Sequence, residues 1–165
     1  MADKIAIMNK GKLQQVGSPH EIFNHPVDLF VATFMGSPPM NLLECTLTEK
    51  NESYFLDAGT FALPVSEDMS TLIKERATSS ELILGVRPED IILGKKKSPD
   101  RPIEAEVYVI EPLWSEVIID LKVGDNLVKV KTVLDFAVNM DEKVWIGFNN
   151  EKIYLFDKKT ERIII

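Results

Sequence analysis

The chain has 165 residues, 45% hydrophobic and 27% charged, which suits one soluble domain, or one domain with a fragment of another, and excludes global disorder. Its 19 basic and 26 acidic residues leave a formal net charge of −7, a surface that repels a phosphate backbone, so no nucleic-acid partner is expected. One cysteine, Cys45, excludes an internal disulfide framework and suits a reducing compartment.

The first third carries the sharpest local signals. Ile5 to Met8 is a short apolar run, Asn9-Lys10-Gly11 turns the chain, and Lys12 to Val16 returns, a hairpin pattern. Ser18, Pro19 and Glu21 then have the spacing of a capping box and a proline at the first helical position. That helix ends near His25-Pro26. A second helix is expected from Pro26, with Val27, Phe30, Val31 and Phe34 on one apolar face and Gly36 terminating it. Ser37-Pro38-Pro39 cannot continue a helix and marks a boundary.

From Asn41 the period changes from helical to alternating. Leu42–Thr48 reads as a strand, with Leu43, Cys45 and Leu47 on one face, which makes Cys45 a core residue rather than a nucleophile. Tyr54–Leu56 and Phe61–Leu63 are shorter strands. Ser66 caps a helix running to about Arg76 with Met69, Leu72 and Ile73 inward. Glu81–Val86 is a strand stopped by Arg87-Pro88. Farther on, Ile103, Ala105, Val107 and Val109 alternate with Glu104, Glu106 and Tyr108. Val117–Val123, Val128–Val130, Val144–Phe148 and Ile153–Phe156 complete the series. The fold class expected is mainly β: a small antiparallel barrel of the OB-like type with a few short helices, preceded by a β-hairpin and two helices.

Chemistry is sparse. The two histidines, His20 and His25, do not share a helix face as a metal-binding pair would, so no metal is expected. Gly11-Lys12 and Gly94-Lys95 lack the earlier glycine and the following Ser or Thr of a phosphate cradle. Val117-Ile118-Ile119-Asp120 reads as a barrel strand with Asp120 facing water. Lys95-Lys96-Lys97 reads as a solvated loop, and the acid pairs Glu67-Asp68 and Asp141-Glu142 as turn or cap residues. No catalytic residue and no cofactor is expected. No segment has the apolar core of a signal peptide or the roughly 20 apolar residues of a membrane span. A cytoplasmic location is the expectation.

Several segments resemble the C-terminal part of ABC-transporter ATPases of the maltose/trehalose and multiple-sugar type. They are Ala2 to Gly11, Gly17 to Phe23, Phe30 to Asn41, Leu84 to Ile91 (Leu-Gly-Val-Arg-Pro-Glu-Asp-Ile), Glu111 to Glu116 and Tyr154 to Asp157. Cys45 and Trp114 stand where many relatives have glycine.

The resemblance implies that residues 1–40 are the end of an ATPase domain and residues 41–165 an OB-like (TOBE or MOP-like) regulatory domain. It also implies that the ATP-hydrolysing motifs are not among these residues. It further implies self-association as a homodimer, with transporter subunits or a regulatory protein as further partners and the membrane reached only through those subunits. The first strand, without a larger sheet to join, is expected to pack on its own helices or on a second copy. The candidate interface and regulatory residues are Arg87, Glu89, Glu111, Trp114 and Glu116. Arg87 is a candidate for an ion pair, and Trp114 for either an interface anchor or a core plug. The alternatives are a small barrel binding an oxyanion and, from barrel shape alone, a nucleic-acid-binding OB fold.

Overall fold

The computed structural model describes residues 3–165; Met1 and Ala2, the latter opening the first of the resembling segments, lie outside the described residues. Strands β1 (Ile5–Asn9) and β2 (Lys12–Gly17) form the expected hairpin. Lys10 and Gly11 both have positive φ (47° and 78°), the two-residue turn whose twist matches that of the strands it joins. Helix α1 (Pro19–Asn24) starts as its spacing requires. The Ser18 hydroxyl accepts the Glu21 N–H at 3.2 Å, and the Glu21 carboxylate accepts the Ser18 N–H at 3.4 Å.

Helix α2 (Leu29–Phe34) starts later than expected, because the Asp28 carboxylate accepts the Val31 N–H at 2.9 Å and so caps the helix there. Val27 lies outside the helix, and its carbonyl instead accepts the Ile163 N–H at 3.2 Å. The buried face differs accordingly. Val31 packs with Ile7 and Ile22 under the hairpin, whereas Leu29 and Ala32 pack with Met40 and Phe156 of the β module. Phe34 is left in solvent, its ring 5.9 Å from that of Phe30. The hairpin therefore packs on its own helices, as expected for an apolar edge without a larger sheet.

The remaining strands form two five-stranded sheets, each antiparallel throughout. One contains β3 (Asn41–Lys50), β4 (Ser53–Asp57), β5 (Ala62–Val65), β6 (Glu81–Val86) and β12 (Ile153–Asp157), in the order β12-β6-β3-β4-β5. The other contains β7 (Ile91–Gly94), β8 (Ile103–Pro112), β9 (Val117–Val123), β10 (Asn126–Thr132) and β11 (Lys143–Phe148), in the order β10-β9-β8-β11-β7. Their facing sides share one core, with Leu43, Leu84 and Leu155 from the first sheet and Val107, Ile119 and Val144 from the second. Each such side chain contributes about 2 kcal/mol by leaving water. Helix α3 (Glu67–Arg76), capped by the Ser66 hydroxyl, adds Ile73 to this core.

Two strand details differ from the alternation read in the sequence. A bulge between Val107 and Val109 shifts the phase of β8, so Val109 is only half-buried and Ile110 packs against the core. The short β7, absent from the expected series, pairs with β11. The seam between the sheets is closed by a side chain rather than a continuous ladder. Asn41 is 8% exposed; its Nδ2 donates to the carbonyls of Val86 (3.1 Å) and Lys129 (2.8 Å), while its Oδ1 accepts the Lys129 N–H at 2.7 Å. One amide thus pairs both main-chain groups of Lys129 on edge strand β10.

Candidate interaction site

Strand β6 ends at Val86, and Arg87 follows in an extended conformation before a short 3-10 turn, Pro88–Asp90. That geometry turns the Arg87 side chain inward, where it is 2% exposed. Nη1 donates to the Met35 carbonyl at 2.9 Å and Nη2 to the Phe23 carbonyl, and the guanidinium lies 3.5 Å from the Phe23 ring centroid. Among the described residues no carboxylate lies within ion-pair distance of Arg87, and its buried Nε has no hydrogen-bond partner. The expected ion pair is therefore replaced by two carbonyls and an aromatic face. Glu89, two residues on, is exposed on the turn.

Glu111 lies near the end of β8, paired with Ile118 of β9, and Trp114 and Glu116 occupy the connection between the two strands. The Leu113 N–H donates to the Glu116 carbonyl at 2.8 Å and folds this loop into a tight tip. Trp114 at the tip is 99% exposed, which rules out the core plug. Glu116 pairs with Lys131 of β10 at 2.7 Å, and Glu111 is exposed. The register places Val117 opposite both Pro112 and Thr132, so the loop after β10 emerges at the same end of the sheet. Its first residues, Val133 and Leu134, are exposed alongside Leu113. Sequence reading missed these two, although two apolar residues after an alternating strand were a visible signal. The tip and the Arg87 turn are separate features, with no hydrogen bond or ion pair joining them among the described residues.

Elsewhere the side chains are occupied structurally. Asp120 does not face open water as expected: Lys129 Nζ reaches both its carboxylate oxygens, at 2.6 and 2.8 Å. Lys95 of the lysine run pairs with Glu142 at 3.1 Å. Cys45 is buried, and desolvation pushes its thiol up to about 12, where it is inert as a nucleophile. Asp157 is buried too. The Thr78 hydroxyl, the Thr78 N–H and the N–H groups of Lys159 and Thr160 bond it and hold its carboxyl well below the usual range. Among the described residues no group of His, Cys, Asp or Glu is arranged to hold a metal. A shallow groove of about 330 Å³ runs between β3, β4 and α3, where Lys74 Nζ lies 4.0 Å from the Tyr54 ring centroid. No helix is long and apolar enough to cross a membrane among the described residues.

Two curled antiparallel sheets around one core, with a capping helix, define an OB-type β domain. A crystal structure of the cytoplasmic molybdate-binding protein ModG shares this fold, with a TM-score of 0.52 over 70% of this chain and 94% of that one, at 14% identity. Residues 36–91 match the family described as MalK OB fold domain. Over 99% of its length the chain is 38% identical to the trehalose/maltose import ATP-binding protein MalK of Thermococcus litoralis, covering 45% of that protein. It is 33% identical to the multiple sugar-binding transport ATP-binding protein MsmK of Streptococcus mutans, with 99% and 46% covered. It is also 33% identical to the xylose/arabinose import ATP-binding protein XacK of Haloferax volcanii, with 97% and 41% covered. Residues 36–91 thus match the MalK-type OB-fold domain, and the chain is similar over nearly its whole length to the C-terminal part of sugar-import ABC-transporter ATP-binding proteins. It spans less than half the length of these curated relatives.

Proposed function

We propose that this chain is the regulatory and dimerisation module of a sugar-import ABC-transporter ATPase, acting by contact rather than by catalysis. Residues 1–40 are the end of the nucleotide-binding domain and residues 41–165 the OB-like regulatory domain. The module pairs with a second copy of itself and so keeps two ATPase subunits together, beside the transporter's membrane subunits. The likeness along almost the whole chain to sugar-import ATP-binding proteins supports the setting.

The observation that carries the contact function is Trp114, 99% exposed at the same end of the sheet as the exposed Leu113, Val133 and Leu134. A large aromatic held in solvent on a tight hairpin tip is suited to anchoring an interface. Fluorescence tests this directly in a W145F variant, which leaves Trp114 as the sole tryptophan. Emission shifting to shorter wavelength as protein concentration rises supports burial of Trp114 in a self-contact; emission that stays red-shifted at every concentration counts against it.

A further inference from the structure

Charge inside a protein is costly unless it is paired, and Arg87 is buried without a carboxylate. Its two acceptors belong to the ends of different helices: Phe23 lies in the last turn of α1, and Met35 is the C-cap of α2. Both carbonyls need an outside donor. The N–H of Val27, placed to continue the helix onto Phe23, donates instead to Gln15 Oε1 at 3.1 Å. The residue so placed for Met35 is Pro39, which has no N–H. Arg87 therefore caps both helices at once from the β module, and its charge meets the negative end of each. Gly36 is shaped around it: φ is +123°, and a Cβ there would stand 3.3 Å from Arg87 Nη1 and 3.1 Å from the Pro38 carbonyl oxygen.

We propose that Arg87 is a releasable latch fastening the unit of β1, β2, α1 and α2 to the β module. The remaining hydrogen-bonded ties sit at the other end of α2, where the Leu29 N–H donates to the Glu161 carbonyl (3.0 Å) and the Ile163 N–H to that of Val27 (3.2 Å). Apolar contacts of Leu29, Ala32 and Met40 with Phe156 lie beside them. Opening the latch thus leaves a pivot at the start of α2, about which the unit swings while the barrel core stays closed. Release is inexpensive because water then solvates the guanidinium, including its unpartnered Nε, together with both helix-end carbonyls. The latch stands on contacts within this chain and is independent of the self-association proposed above.

Hydrogen exchange on the full chain tests it, comparing the wild type with R87M and G36A. R87M removes the donors while keeping an apolar stem; G36A crowds the guanidinium from the opposite side. The expected result in both variants is a loss of protection of about tenfold or more in amides of residues 19–35, with amides of β3, β6 and β9 changing by less than about twofold. A uniform loss across the chain would overturn the latch, as would unchanged exchange at residues 19–35 in both variants. Failure of R87M to fold would do so too, since it would show that Arg87 holds the barrel itself.

Discussion

Removing the Asn41 amide should open the seam between the two sheets. N41A deletes three hydrogen bonds, two donated to the Val86 and Lys129 carbonyls and one accepted from the Lys129 N–H. At about 1 kcal/mol each the loss is about 3 kcal/mol. With a urea m-value of about 2 kcal/mol/M, the unfolding midpoint should fall by about 1.5 M. N41D is the sharper perturbation, because it keeps the shape and replaces the donor by an oxygen facing two carbonyls. Burial and those carbonyls disfavour the carboxylate, so the folded-state pKa of the new group should lie above its unfolded value of about 3.9. A raised pKa means that the folded state binds more protons, so the stability of N41D should fall as pH rises from about 4 toward 7. The deficit relative to wild type is then smallest in mild acid and exceeds that of N41A at neutral pH. The assay is urea unfolding followed by far-UV circular dichroism at several pH values. A loss under about 1 kcal/mol in N41A, or a deficit in N41D independent of pH, would refute the seam as described.

The same logic applies to two other buried groups. Because hydrogen bonds from Thr78 and the following turn depress its carboxyl, Asp157 stabilises the fold above its unfolded pKa, and this stabilisation is lost as pH falls toward the folded value. D157N should therefore be less stable than wild type at pH 7, with the gap narrowing below about pH 4 in thermal melts; a gap that does not change with pH would contradict this. Cys45, its thiol pushed up to about 12, should resist a disulfide reagent at pH 8 in the native protein and react fully in urea. Rapid native-state labelling would show that the β3 face is not closed.

Local features were legible in the sequence because their causes are local. The Ser18-Pro19-Glu21 cap, the Lys10-Gly11 turn and the alternation of β9 each depend on residues a few positions apart. Pro26 reads as a helix start in the sequence, but the Asp28 carboxylate caps the helix and fixes its start at Leu29. The bulge in β8 escaped because it depends on pairing with β9, as did β7, whose four residues gain their identity from β11.

The candidate site divides the same way. An arginine before a proline was visible as a turn. Its acceptors, however, lie 52 and 64 residues away and are backbone carbonyls, which carry no side-chain signature. Asn41 gave no signal at all, since its partner on β10 is 88 residues distant and is recognised through main-chain atoms. Trp114 is visible in the sequence as a large aromatic between Pro112 and Ser115, and only the register of β8 with β9 decides that it stands in solvent rather than in the core.

Sedimentation equilibrium of the wild-type chain and of W114S, each across a wide concentration range, tests the central claim most directly. The account predicts a reversible dimer for the wild type and a shift to monomer in W114S at unchanged thermal stability. A wild-type chain that remains monomeric at every concentration, or a W114S dimer as tight as the wild type, would contradict it.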